Sequence, residues 1–254
     1  MTAPGVGAFR GPSTDAALAR HAAQVAGDAL LGLRREGGAD LKDRGDALAQ
    51  ALISELLTAF RPADAVLSEE AVDDQVRLRA DRVWIIDPLD GTREYGEGDR
   101  HDWAVHVALW EAGELTAAAV ALPAVGEVLG TDDPATVPAQ PSGRVRMAVS
   151  RSRATALTLG VADDLGAELV PLGSAGYKVC AVIRGEADAY LHSGGQYEWD
   201  SAAPVAVARA AGLHTSRIDG SPLRYNQADV YLPDLLVCRP HLADPVLLAV
   251  AART

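Results

Sequence analysis

Residues 84–92 read Trp-Ile-Ile-Asp-Pro-Leu-Asp-Gly-Thr, or WIIDPLDGT. Three apolar residues run straight into two carboxylates, Asp87 and Asp90, that flank a proline. Pro88 fixes its own φ and biases Asp87 towards an extended conformation, which puts Asp87 at the end of a buried strand over 82–87. Asp90-Gly91 is a turn dipeptide, and Gly91 lets a ligand approach the backbone closely. If a helix or tight turn begins at Thr92, the N–H groups of Gly91 and Thr92 point outward together and make a small anion site. The two carboxylates are hard oxygen donors suited to Mg²⁺. A cation site beside an anion site is what hydrolysis of a phosphate ester needs. The plainer alternative is a polar turn whose acids only cap the chain.

Two other segments carry acids in similar settings. Ser68-Glu69-Glu70 closes the short strand read over 65–70. Tyr197-Glu198-Trp199-Asp200 leads into an apolar helix, where Asp200 alone would read as an N-cap.

The chain has 254 residues, 48% of them hydrophobic, enough for one large domain or two lobes with a sizeable core. The net charge of −12 argues against a nucleic-acid duplex or an anionic membrane as partner. It leaves a small phosphate ligand open, because bound cations invert the local field. No apolar run approaches the roughly 20 residues of a membrane span, and no signal peptide is read at the N-terminus. The two cysteines, Cys180 and Cys238, are expected as reduced thiols of a cytoplasmic protein, with a disulfide between them as the alternative.

Residues 1–13 read as a loose tail. Ser13-Thr14-Asp15 caps a helix that Gly37-Gly38 ends, and a second helix fits 44–60. Residues 102–110 alternate Trp103, Val105, Val107 and Leu109 against Ala104, His106 and Ala108, which is strand periodicity. A turn at 111–114 then predicts a hairpin. The proline-rich stretch 132–143 reads as a linker between a lobe over 14–131 and a lobe over 144–254. The second lobe alternates strand and helix to residue 212, as α/β layers do. Gly194–Tyr197 reads as a flexible loop. His101, His106 and His214 lack metal-ligand spacing and read as solvent-facing or satisfied histidines.

In order and spacing, LSEE, WIIDPLDGT and WDSAAPVAVARAAG resemble the inositol monophosphatase superfamily over most of residues 14–250. Pro204 and Leu213 stand where that family usually has glycines. The resemblance implies an α/β fold, the layered αβαβα sandwich, and a Mg²⁺-dependent phosphomonoesterase using two or three ions. It implies that Glu69, Asp87 and the Leu89 carbonyl hold a first ion. Asp87 is shared with a second, completed by Asp90 and Asp200. Thr92 and Asp46, with Glu70 nearby, orient the attacking water. Asp46 keeps a helix-start alternative, because Lys42–Gly45 departs from the stretch that usually precedes it. Inhibition by lithium is also implied.

DLKDRGD, LSEE, DPLDGTREYGE and MAVSRSR together look like the bacterial 3′(2′),5′-bisphosphate nucleotidases of the CysQ type. These remove the 3′-phosphate of 3′-phosphoadenosine 5′-phosphate, a by-product of sulfate assimilation. The 5′-phosphate needs a cation, for which Arg153 and Lys178 are the candidates; a solvated arginine and a surface lysine are the alternatives. Tyr197 packs on a base or sugar face, or fills the core, and Tyr95 is open between the same roles. Inositol monophosphatase or fructose-1,6-bisphosphatase activity is the rival enzyme reading. A non-catalytic nucleotide or metal sensor is the rival class, and a homodimer is left open.

Overall fold

The computed structural model describes residues 12–73 and 75–254; residues 1–11 of the expected tail lie outside the described residues. Helices α1 (Asp15–Glu36) and α2 (Leu41–Phe60) come first, followed by β1 (Ala65–Ser68) and β2 (Arg82–Asp90). A short helix α3 (Thr92–Gly96) precedes the meander β3 (Ala104–Glu111), β4 (Glu114–Leu122) and β5 (Glu127–Gly130). Beyond it lie β6 (Arg146–Ser150), α4 (Ala156–Asp164), β7 (Glu168–Leu172), α5 (Ala175–Ile183), β8 (Ala189–Tyr197) and α6 (Glu198–Ala210). The chain closes with β9 (His214–Ser216), β10 (Tyr231–Cys238) and α7 (Ala243–Ala251), none of which was expected from the sequence.

The strands form two five-stranded sheets, ordered β1-β2-β3-β4-β5 and β7-β6-β8-β10-β9. Side-chain alternation assigns their faces. Trp84 and Ile86 of β2, with Val105, Val107 and Leu109 of β3, pack on α1 and α2. Val83 and Ile85, with Ala104 and Ala108, face the other way, onto α5 and α6. The second sheet turns Tyr190, Leu235 and Val237 onto those same helices, and Met147, Leu191 and Leu236 onto α4 and α7. The order is therefore helix, sheet, helix, sheet, helix, the αβαβα arrangement expected. Helices α5 and α6 lie between two sheets, and their near-continuous apolar sequence follows from that.

Several boundaries differ from expectation. β2 does not stop at Asp87 but continues through Pro88 to Asp90, with Asp87 opposite His106 and Asp90 opposite Ala104. Three steps on β2 match two on β3, so one extra residue is bulged out where Pro88 cannot donate a ladder bond. The loop expected at 194–197 is instead the end of β8, paired with β10 through Gln196 and Tyr197. α6 starts three residues before the expected apolar run. Its N-cap is Tyr197 rather than Asp200, and it runs unbroken past Pro204. α2 starts at Leu41, so Asp46 lies more than a turn inside the helix.

Residues 131–145 carry no regular element, yet they are anchored at both ends. Asp132 pairs with Arg20 of α1, and the Pro138 carbonyl accepts from Arg239. Arg239 also bonds the fully buried Asp188, which accepts in addition from the backbone and guanidinium of Arg146. One carboxylate thus joins the start of β6, the start of β8 and the end of β10. Burial alone would raise the Asp188 carboxyl. The Arg146 and Arg239 bonds outweigh it and hold the group below its ordinary 3.8. Its contribution is therefore present above that value and is lost as pH falls through the lowered one. Asp188→Ala strands the buried Arg239 and should lower the unfolding free energy by about 3 kcal/mol at pH 7 in urea denaturation. The gap to the parent should narrow below about pH 4.

Candidate active site

The acids converge because of the bulge. In a regular strand Asp87 and Asp90, an odd number apart, would face opposite sides of the sheet. The extra residue returns Asp90 to the face of Asp87, towards α5 and α6. Both are buried, at 1% and 7% exposure. Asp90 lies at the start of α5. Its carboxylate accepts from Ser174 Oγ (2.6 Å), the Ala175 N–H (3.2 Å) and the Gly176 N–H (2.6 Å). Helix N-terminal donors favour an anion there. Asp87 is held differently. The Leu89 N–H donates to it at 3.1 Å, and His106 Nδ1 stands 3.9 Å away.

These surroundings push the two carboxyls apart. Burial, then the charges of Asp90, Glu69 and Asp200, raise Asp87 well above its ordinary value. For Asp90 burial is the largest influence and raises it, but the His106 ring and the Ser174 and Gly176 bonds together bring it down to about 2. Glu69, solvent-open at the rim, is pushed up to about 7 by desolvation and by Asp200, Asp90 and Glu70. Asp200 rises to about 6, through burial and then Asp90. Asp200 is the third residue of α6, and its Oδ2 accepts from the Tyr197 N–H at 2.6 Å. Glu69 beside β1, Asp87 and Asp90 on β2 and Asp200 on α6 therefore surround one cleft of about 590 Å³ and oppose one another's ionisation. A buried carboxylate with so little protein hydrogen bonding fits a divalent cation. So does the hard oxygen donor set, which Glu69, Asp87, Asp90, Asp200 and the Leu89 carbonyl would supply.

Asp46, on α2, meets Thr92 at the edge of the cleft. Thr92 Oγ1 lies 3.3 Å from Asp46 Oδ1 and 3.0 Å from the Leu89 carbonyl oxygen. Burial, then the Glu70 charge, raises Asp46 to about 6. Gly45 permits this approach: a Cβ there would meet Tyr95 Cε1 at 2.8 Å and Leu89 Cδ2 at 3.1 Å. On the other side, Ser68 Oγ donates to Gln50 of α2, which sets Glu69 and Glu70 beside the same helix. Gly91 takes the left-handed conformation, φ 89°, that turns the chain into α3. Tyr95 is structural: it is buried, with its hydroxyl on the Leu30 carbonyl.

The substrate-facing candidates divide. Arg153 is exposed at the cleft rim and forms no ion pair among the described residues. Lys178 is no surface lysine. It is 3% exposed, its ammonium donates to the Gly173 and Ser174 carbonyls, and burial pushes it down to about 8. Tyr197 is half exposed at the mouth and stacks on Trp199, centroids 4.9 Å apart.

Sequence reasoning missed Ser174, Ala175, Gly176 and His106. His106 is fully buried, Nδ1 is 3.0 Å from the Trp199 carbonyl oxygen, and Nε2 is 3.2 Å from Asp90 Oδ2. One oxygen or nitrogen each from Asp87, Asp90 and His106 lie within 4.8 Å of one another. The signal was present in the alternation of β3, which put His106 on the inner face with Ala104 and Ala108.

A family model described as the inositol monophosphatase family matches residues 13–251. The chain belongs to that family. The family is metal-dependent, and the acid cluster is where a metal would be held. The chain is 52% identical, over an alignment of 258, to the 3′-phosphoadenosine 5′-phosphate phosphatase of Mycobacterium leprae, covering 95% of each chain. It is 54% identical over 239 to the protein of that name from Mycobacterium tuberculosis, covering 89% of each. The crystal structure of CysQ from Bacteroides thetaiotaomicron superposes with a TM-score of 0.74 at 28% identity, covering 88% of this chain and 96% of that one.

The close approach of α2 is testable by a single methyl group. Gly45→Ala should cost about 1–3 kcal/mol of stability by overpacking. It should also lower phosphate release more than the unfolded fraction explains, because Asp46 is carried away from Thr92. Denaturation and turnover of the same preparation measure both.

Proposed function

We propose that the chain is a Mg²⁺-dependent phosphomonoesterase that removes the 3′-phosphate of 3′-phosphoadenosine 5′-phosphate, giving AMP and phosphate. The observation that carries the reaction class is the meeting of Glu69, Asp87, Asp90 and Asp200 beside the Thr92–Asp46 pair. Support for the substrate comes from the two mycobacterial relatives and from Arg153, a rim guanidinium with no carboxylate partner among the described residues.

Bound divalent cations would neutralise the phosphate and make a water nucleophilic near neutral pH. The chain's own residues do the rest. The Thr92 hydroxyl, donating to Asp46, leaves its lone pairs to receive a hydrogen from that water. Asp46, raised to about 6, can take up a proton at neutral pH. The Gly91 and Thr92 amides face the reacting phosphate. Arg153 offers a bidentate fork to the 5′-phosphate, while Lys178 lends positive charge from beneath and fixes the Gly173–Ser174 turn. Tyr197 gives a half-exposed aromatic face to the base or sugar. A cytoplasmic setting accords with Cys180 and Cys238, both free and buried.

Asp90→Asn keeps the shape of the side chain but removes charge from the cation site. It should leave a folded protein with phosphate release lowered at least about a hundredfold. A folded, active Asp90→Asn protein would overturn the assignment. Arg153→Ala should cost about 1.5–3 kcal/mol of transition-state binding. That is roughly 10- to 150-fold in kcat/KM. The loss should be confined to the bisphosphate nucleotide and absent for inositol 1-phosphate, which has no second phosphate. Equal losses on both would make Arg153 structural and favour the inositol phosphatase reading.

A further inference from the structure

We infer that His106 is a positioning residue that ties β3 of the first sheet to the start of α6 through the Trp199 carbonyl, and so sets the separation of Asp90 and Asp200. Three elements meet on its ring. β2 contributes Asp87, its direct cross-strand neighbour, and Asp90, whose Oδ2 is 3.2 Å from Nε2. α6 contributes the Trp199 carbonyl, 3.0 Å from Nδ1 and one residue before Asp200. α5 contributes Gly176, where any Cβ would overlap His106 Nε2. A carbonyl can only accept, so Nδ1 carries the hydrogen of that bond. The bond ties the first turn of α6 to the inner face of β3.

The link matters because the two acids stand on different elements that otherwise meet through apolar packing. Asp90 stands on the first sheet, and Asp200 on a helix that the second sheet also covers. Asp200 is fixed locally through the Tyr197 N–H, which orients the side chain on its helix but not the helix against β2. Among the polar contacts of His106, the Trp199 bond performs that second task. A partner of this kind, one shell behind the ligands, commonly governs metal affinity by about 10- to 100-fold. The inference rests on reading the acids as divalent-cation ligands.

Three variants separate the two ends of the ring. His106→Leu removes both polar ends at similar volume. His106→Asn can place an amide where Nδ1 stood and keep the Trp199 bond. His106→Gln extends its amide towards the Nε2 position and loses that bond. The readout is Mn²⁺ binding by electron paramagnetic resonance, beside thermal denaturation in EDTA, which needs no turnover. Expected is a folded Leu variant that binds Mn²⁺ about 10- to 100-fold more weakly, recovery in Asn to within a few-fold of the parent, and no recovery in Gln. A Leu variant that binds like the parent overturns the inference. If Leu does not fold, the other two decide: Asn and Gln equally impaired, or equally intact, overturns it. A parent that takes up no Mn²⁺ overturns the metal reading itself, and the inference with it.

Discussion

One extra residue in β2 is the constraint on which the site depends. The sheet needs β2 to alternate, because Trp84 and Ile86 fill one core while Val83 and Ile85 fill another. Strict alternation would aim Asp90 at the apolar layer of α1 and α2, where a carboxylate has no partner. The bulge at Pro88-Leu89 breaks the period once and sends Asp90 to the donors of α5. Pro88 suits the place because it has no N–H to leave unsatisfied. The turn at Gly91, the Thr92 hydroxyl and the contact with Asp46 all follow from where the bulged strand ends.

The electrostatics depend on the same geometry. Asp90, on the N-terminal donors of α5, is held at about 2 and stays charged across the physiological range. Glu69 and Asp200 rise to about 7 and 6, and burial with the neighbouring acids raises Asp87 well above its ordinary value. The cleft therefore holds one permanent anion surrounded by carboxyls that resist joining it. Cations relieve that resistance, so the charge that destabilises the empty cluster becomes the driving force for binding. Three apolar layers make the arrangement tolerable, since the acids lie where the sheets and α5 and α6 meet and displace little of the core.

The sequence made much of this legible. Alternation in 102–110 predicted the strand β3, and DPLDGT marked the acids. What it could not show was set by tertiary partners. The bulge exists only as a register between β2 and β3, and a single strand carries no register. Gly194 and Gly195 suggested a loop, yet pairing with β10 makes that stretch strand, because β10 itself was not foreseen. His106 lacked ligand spacing because its partners lie 16 and 93 residues away in the chain. Lys178 stood between a phosphate contact and a surface charge because its acceptors are backbone carbonyls, which leave no residue signature.

Under the proposed function, reaction and selectivity occupy different parts of the cleft. The acids and Thr92 stand on sheet ends and helix starts, with Asp87, Asp90, Asp200 and Thr92 held by backbone or side-chain bonds. Arg153 stands on the turn after β6, held through its backbone N–H on Ser150 Oγ, with its guanidinium at the rim. Tyr197 lies on the far side, packed on Trp199 and Tyr231. A change at either rim residue alters what the remainder of an ester meets, without moving a carboxylate. A change at Lys178 differs: it loosens the Gly173–Ser174 turn, and Ser174 holds Asp90. Of the two cations that the sequence offered for the second phosphate, Arg153 is therefore, under the proposed function, the one free to choose among substrates, while Lys178 is bound to the machinery that all of them would share.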